Sequence, residues 1–172
     1  MVMNQPIKVE KTVTINKPAE ELYSFWRNFE NLPRFMKHLK SVKVYDDTRE
    51  SSGHATRSHW ITQGLLDESR SIEWDTVIIE DQENELISWA SVESAVVENS
   101  GRVRFQPAPG NRGTEVKAVT EYKPLGGVIV VAIAKLLGED PELQIKEDLR
   151  RFKMLMEAGE IATTEGQPRG RK

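Results

Sequence analysis

The chain has 172 residues, no cysteine, 24 basic against 27 acidic side chains and a formal net charge of -3. Lack of cysteine excludes disulfides, thiolate catalysis and Cys-based zinc sites, and no basic stripe interleaved with aromatics suggests nucleic-acid binding. This length suits one ordinary domain, able to bury roughly 70% of its unfolded surface without metal or disulfide support.

The N-terminal "MVMNQPIKVEKTV" has no signal-peptide apolar run. The longest apolar stretch, Leu125 to Gly138, is shorter than the ~20 residues of a membrane span. A cytoplasmic, single domain over residues 7–159 is therefore expected, with a disordered N-terminus at 1–6 and a disordered polar tail at 160–172.

"IKVEKTVTI" alternates, placing Val9, Val13 and Ile15 on one face of a first strand. Pro18 opens a helix with Glu20 and Glu21 in its first turn, where the helix dipole favours negative charge. Its buried stripe is Leu22, Trp26 and Phe29. "ENLPRFMKHL" predicts a second short helix, capped by Asn31, with Leu32, Phe35, Met36 and Leu39 as its apolar side. From Lys40 to Tyr122 short alternating strands follow: "SVKVY", "ATRSHWITQ", "SRSIEWDTVII", "LISWASV", "GRVRFQP" and "TEVKAVTEY". Turn clusters such as "EDQENE", "VENSG" and "PAPGNRG" separate them, so with the first strand about seven strands form a mostly antiparallel meander. Helical periodicity then returns, and a helix starting at Asp140-Pro141 carries Ile145, Leu149, Phe152 and Met156 on one face.

Three of the four tryptophans fall near one hairpin length apart, at Trp60, Trp74 and Trp89. Strand parity puts Trp74 with Ile72, Thr76 and Ile78, Trp60 with Thr56, Ser58 and Thr62, and Trp89 with Ile87 and Ser91. Val103 and Phe105 likewise oppose Arg102 and Arg104. Any one of these indoles could be ordinary core with its N–H satisfied by a neighbour. As a set, large rings among small Thr and Ser side chains suggest a lined hollow, since a sheet packed solid by a helix favours Val, Ile and Leu throughout.

The stretches "VEKTVTINKPAEELYSFWRNFENLPRFMKHLKSV", "EWDTVIIEDQENELISWAS", "VRFQPAPGNRGTEV" and "LLGEDPELQIKEDLRRFKMLME" resemble the START-like, Bet v 1-like (SRPBCC) superfamily. Within it they are closest in character to the bacterial polyketide cyclase/dehydrase or coenzyme Q-binding-protein-like branch. The resemblance implies an α+β helix-grip fold: a curved antiparallel sheet of about seven strands, two short helices after the first strand, and a long C-terminal helix over an apolar cavity. Gly138 and Pro141 predict an interruption of that last helix, with Ile133 and Leu137 on a movable lid. Carried onto this chain, the ligand-binding lining would be Trp60, Trp74, Trp89 and Phe105 from the sheet, Phe35 and Met36 near the mouth, and Ile133, Leu137, Leu149 and Phe152 from the C-terminal helix.

Catalytic chemistry is not evident. His54 and His59 lie five apart on a strand, point to opposite faces and cannot chelate together, and His38 reads as a surface residue. Ser58 and His59 are adjacent on a strand and diverge, so they form no dyad. Glu73, Asp75, Glu115 and Glu121 fall on the solvent side of their strands, and no Walker loop occurs. No catalytic residue, metal or cofactor is assigned, and no buried ionisable pair is evident, which favours binding over catalysis. Arg34, Ser58 and Thr76 are the candidate polar anchors, although Arg34 reads more readily as an exposed helix arginine. The expected function is binding or carriage of a hydrophobic small molecule, such as a quinone, lipid or polyketide-like compound. Alternatives are a cyclase or dehydrase acting in the same cavity, and a lipid transfer protein whose Leu125–Gly138 segment makes transient membrane contact. No nucleic-acid partner is expected, and the assembly is a monomer or homodimer.

Overall fold

The computed structural model describes residues 7–62, 72–92, 98–123 and 141–159. The expected Ile133, Leu137 and Gly138 features, the membrane-docking segment and the proposed tails lie outside these residues.

Seven antiparallel strands form one sheet: β1 (Ile7–Ile15), β2 (Leu39–Val44), β3 (Arg57–Thr62), β4 (Glu73–Gln82), β5 (Leu86–Ser91), β6 (Glu98–Pro107) and β7 (Thr114–Lys123). Their order is β1-β7-β6-β5-β4-β3-β2, so β2 to β7 form a meander and β1 closes onto its last strand. Among the described residues two α-helices lie against the inner face: α1 (Ala19–Arg27), preceded by Pro18, and α2 (Pro141–Ala158). This is the helix-grip architecture. Among the described residues no helix is long and apolar enough to cross a membrane.

Departures from the expected elements have local causes. The second short helix is a 3-10 turn, Phe29–Arg34, capped by Asn28, and Leu39 already begins β2. Pro33 inside the turn donates no amide hydrogen bond, which favours this short form over a continued α-helix. Asn31 instead donates its side-chain amide to the Phe25 carbonyl at 2.9 Å, tying the turn back to α1. Strand β4 runs past the expected end at Ile79 because the pairing register with β5 shifts between Ile78 and Glu80. Ile79, 61% exposed, keeps the outward parity of Glu73, Asp75 and Val77, and an irregularity of this kind bends a sheet.

Strand β6 starts at Glu98, inside the stretch that reads as a turn and ahead of the expected start at Gly101. Asn99, Ser100 and Gly101 are paired with β7 opposite Tyr122, Glu121 and Thr120. Gly101 also faces Trp89 across β5, and a Cβ built there would lie 2.4 Å from the indole. The glycine lets the Trp89 ring lie directly against the β6 backbone. Gly101→Ala is expected to displace that ring and destabilise the fold by about 1–3 kcal/mol. Urea denaturation together with a red shift of tryptophan emission would show this; unchanged emission and midpoint would refute the packing role.

The inner layer is an aromatic core. Trp26 of α1 sits 5.0 Å from the Phe35 ring, 5.1 Å from Phe152 and 6.3 Å from Trp89, measured between ring centroids. Phe105 contacts Trp26 at 6.4 Å and Tyr23 at 6.2 Å. The hydroxyl of Tyr23 donates to Asp81, and Arg27 Nε donates to the same carboxylate at 2.7 Å, fastening α1 to the far end of β4. Arg27 is buried, so this ion pair is shielded from water on its arginine side.

Candidate functional site

The inward parity read for β3, β4 and β5 holds: Trp60, Trp74 and Trp89 are all buried on the inner face. The Trp60 ring lies 5.8 Å from Trp74 and 6.5 Å from Trp89, tilted by 36° and 35°. Phe29 stands edge-on to Trp60 and Trp89 at 5.7 and 5.4 Å. The three indoles thus form a continuous wall, buttressed from one side by the 3-10 turn.

Two hollows adjoin this wall. One, of about 30 Å³, is lined by Trp60, Trp74, Trp89, Met36, His38, Asn99, Ser100, Thr120, Tyr122 and Ile145. The other, of about 20 Å³, is lined by Trp26, Met36, Trp89, Ala118, Thr120, Ile145, Asp148 and Leu149. Met36, Trp89, Thr120 and Ile145 border both. Each is large enough for a water-sized group, which needs about 10–15 Å³.

The expected lining residues divide accordingly. Met36, Trp60, Trp74, Trp89 and Leu149 border the hollows. Phe35, Phe105 and Phe152 are buried in the aromatic core around Trp26 and are not among the described residues that border the two hollows. Ile133 and Leu137 fall outside the described residues. Of the candidate anchors, Ser58 and Thr76 are buried but engaged: Ser58 Oγ accepts the Trp60 indole N–H at 2.8 Å, and Thr76 Oγ1 accepts that of Trp74 at 3.0 Å. Their primary effect is to satisfy buried indole donors. Arg34 is exposed, its guanidinium 5.3 Å from the Phe25 ring centroid, away from both hollows.

Two readings from sequence need correction. His38 is not a surface side chain: its imidazole is 8% exposed and lines the larger hollow. A buried ionisable group also exists. Asp148 is 2% exposed; its Oδ1 accepts a hydrogen bond from Arg151 Nη2 at 2.5 Å, while Oδ2 has no hydrogen-bond partner. Arg151 Nε also donates to the Phe35 carbonyl at 3.0 Å, which fixes the guanidinium. Nδ1 of His38 lies 4.0 Å from Asp148 Oδ2, too far for a hydrogen bond, and is likewise without a partner.

Burial governs both protonation states. It pushes the Asp148 carboxyl up to about 7, against the lowering influence of Arg151 and of the Lys37 backbone amide. The close arginine contact does not prevail because only one carboxylate oxygen is paired. Burial, aided by the Arg151 charge, pushes His38 down to about 4, so the imidazole is neutral near neutral pH and its approach to Asp148 is no salt bridge. Tyr122 is held protonated by burial and by the Asp148 charge. Asp148 was discernible in the sequence: it falls at i+3 from Ile145 on the helix face that also carries Leu149 and Phe152.

His59, by contrast, lies on the outer face between Asp75 and Glu73, at 2.7 and 2.8 Å, where Arg57 and Tyr45 also reach Asp75. Partial burial disfavours its charged form, but the two carboxylates outweigh this and raise its pKa. These polar groups satisfy one another on the sheet's outer surface. Among the described residues no group of three or more His, Asp or Glu side chains could hold a metal ion.

Residues 15–150 match a family model described as polyketide cyclase/dehydrase and lipid transport. The chain belongs to this family. This polyketide cyclase/dehydrase-type domain is also similar to a crystal structure of a Deinococcus radiodurans protein: 37% identity, 89% of this chain and 98% of that one covered, TM-score 0.68. A START superfamily protein from Mycobacterium smegmatis shares the fold at 21% identity, covering 86% of this chain and 98% of that one with a TM-score of 0.62. So does the Zhui aromatase/cyclase from a Streptomyces species, at 14% identity, 91% and 100% coverage and a TM-score of 0.63. No curated protein matches. The family and the fold support a domain that binds a hydrophobic ligand.

Proposed function

We propose that the domain binds and carries a hydrophobic small molecule, of quinone, lipid or polyketide-like character, against the indole wall. The observation that carries this reading is chemical. An apolar wall of Trp60, Trp74 and Trp89 meets buried polar atoms on His38 and Asp148 that have no hydrogen-bond partner. A fold of ordinary core would not leave such atoms beside a space, since each unsatisfied group costs about 1–3 kcal/mol. Pockets for drug-sized ligands hold about 300–1,000 Å³, so binding must part the walls. Met36, flexible and bordering both hollows, and Ile145 on α2 are the side chains that give way.

The test is titration with an uncharged naphthalene-based dye. Saturable, stoichiometric quenching of tryptophan emission is expected, and Met36→Trp, which fills both hollows, should weaken it about tenfold or more. Quenching that never saturates, or that the filled variant leaves intact while still folded, overturns the reading.

The cyclase or dehydrase alternative gains from one observation. A buried carboxyl pushed up to about 7 is suited to exchange protons near neutral pH. Turnover of a poly-β-keto thioester surrogate, abolished in Asp148→Asn, would establish it; a surrogate that binds unchanged would leave the carrier reading.

A further inference from the structure

His38, from the segment between the 3-10 turn and β2, borders the larger hollow, and Asp148, from α2, borders the smaller; Met36, Trp89, Thr120 and Ile145 border both. The two unpartnered atoms, Nδ1 and Oδ2, are 4.0 Å apart. One oxygen at a hydrogen-bonding distance of about 2.8 Å from each would subtend an angle of about 90°, within reach of a hydroxyl's donor and acceptor directions. Resting on the hydrophobic-ligand reading above, we propose that this pair is the polar subsite between the two adjoining hollows and holds a single hydroxyl carried on a flat aromatic or enolic ring.

Hydrogen-bond matching selects the hydroxyl. If Asp148 is protonated, it donates to the ligand oxygen, which in turn donates to Nδ1 of a His38 protonated on Nε2. With Asp148 ionised, the hydroxyl donates to Oδ2 and accepts from Nδ1–H. A hydroxyl is satisfied in both arrangements because it donates and accepts at once, whereas a carbonyl needs two donors and is satisfied only when Asp148 is protonated. The titratable and charged groups facing Asp148 are Arg151 and Glu147 on its own helix, His38 and the Lys37 amide beside the 3-10 turn, and Tyr122 on β7. Arg151, bonded to Oδ1, disfavours a cationic ligand group, and the ionised carboxylate disfavours an anionic one. The indoles of Trp60 and Trp74, 36° apart, supply faces for the ring that bears the hydroxyl.

The test compares naphthol with naphthalene on the full chain, by tryptophan quenching. Naphthol is expected to bind about tenfold or more tightly than naphthalene, a preference that falls to near unity in His38→Phe. Wild-type NMR gives a measurement independent of how the variant folds. The Asp148 carboxyl carbon and the His38 Nδ1 resonance should both move on adding naphthol and stay in place with naphthalene. Equal, saturable binding of both probes overturns the hydroxyl subsite and leaves the hydrophobic-ligand reading standing. Binding of neither probe overturns both. Naphthol preference without movement of the two resonances, or preserved in a folded His38→Phe variant, places the hydroxyl elsewhere and also overturns the inference.

Discussion

Phe152→Ala is expected to cost about 3–5 kcal/mol of folding stability, the range for emptying a well-packed phenylalanine site. Phe152 has no exposed surface and joins three elements at once. Its ring lies 4.8 Å from Phe35, 5.1 Å from Trp26 and 6.2 Å from Phe25, so it couples α2 to α1 and to the end of the 3-10 turn. The rings around it are too rigid to collapse fully into the space left behind. The loss would take a large share of the roughly 5–15 kcal/mol that a domain of this kind has in total. Urea denaturation of the variant gives the number directly. A loss below about 1 kcal/mol would mean that α2 is not anchored through this residue.

Arg151→Met should cost more at alkaline pH than at acid pH. In the wild-type fold Asp148 takes up its proton at about 7, above the ordinary aspartate value of 3.8, so folding gains a proton between those limits. The stability linked to this group is therefore fully present below the unfolded value and is lost as pH rises through the folded one. Removing Arg151 withdraws the main opposing charge and raises the folded value further. At pH well above about 7, the variant must bury an uncompensated carboxylate or protonate it at a cost, giving a loss of about 3–5 kcal/mol. Under conditions where Asp148 is protonated in both proteins, only the arginine's hydrogen bonds to Oδ1 and to the Phe35 carbonyl are lost. Those contribute about 1 kcal/mol each. Denaturation curves on either side of neutrality check this. An equal loss at both would show Asp148 to be an ordinary ionised partner, and would also remove its suitability as a proton donor to a ligand.

The periodicities alone determined much of this protein. Strand parity put Trp60, Trp74, Trp89, Val103 and Phe105 on the inner face, because a side chain's face in a strand depends only on odd or even position. Likewise the stripe Ile145, Leu149 and Phe152 made the buried side of α2 legible, because helical spacing is equally local. Tertiary structure decided what those faces meet. Phe35, Phe105 and Phe152 close around Trp26 as solid core while Met36, Trp89 and Leu149 border the hollows, a division that depends on interlocking shapes from four elements. Gly101 read as the junction of a turn and a strand, yet its role is to accept an indole from the neighbouring strand, a contact with no signature in its own segment. The polar subsite was hidden for the same reason. His38 and Asp148 stand 110 positions apart in the chain, and although Asp148 falls on the apolar face of α2, nothing local pairs it with His38. Only their joint burial against Trp89, Met36 and Ile145 removes the water that would otherwise charge the imidazole and ionise the carboxyl.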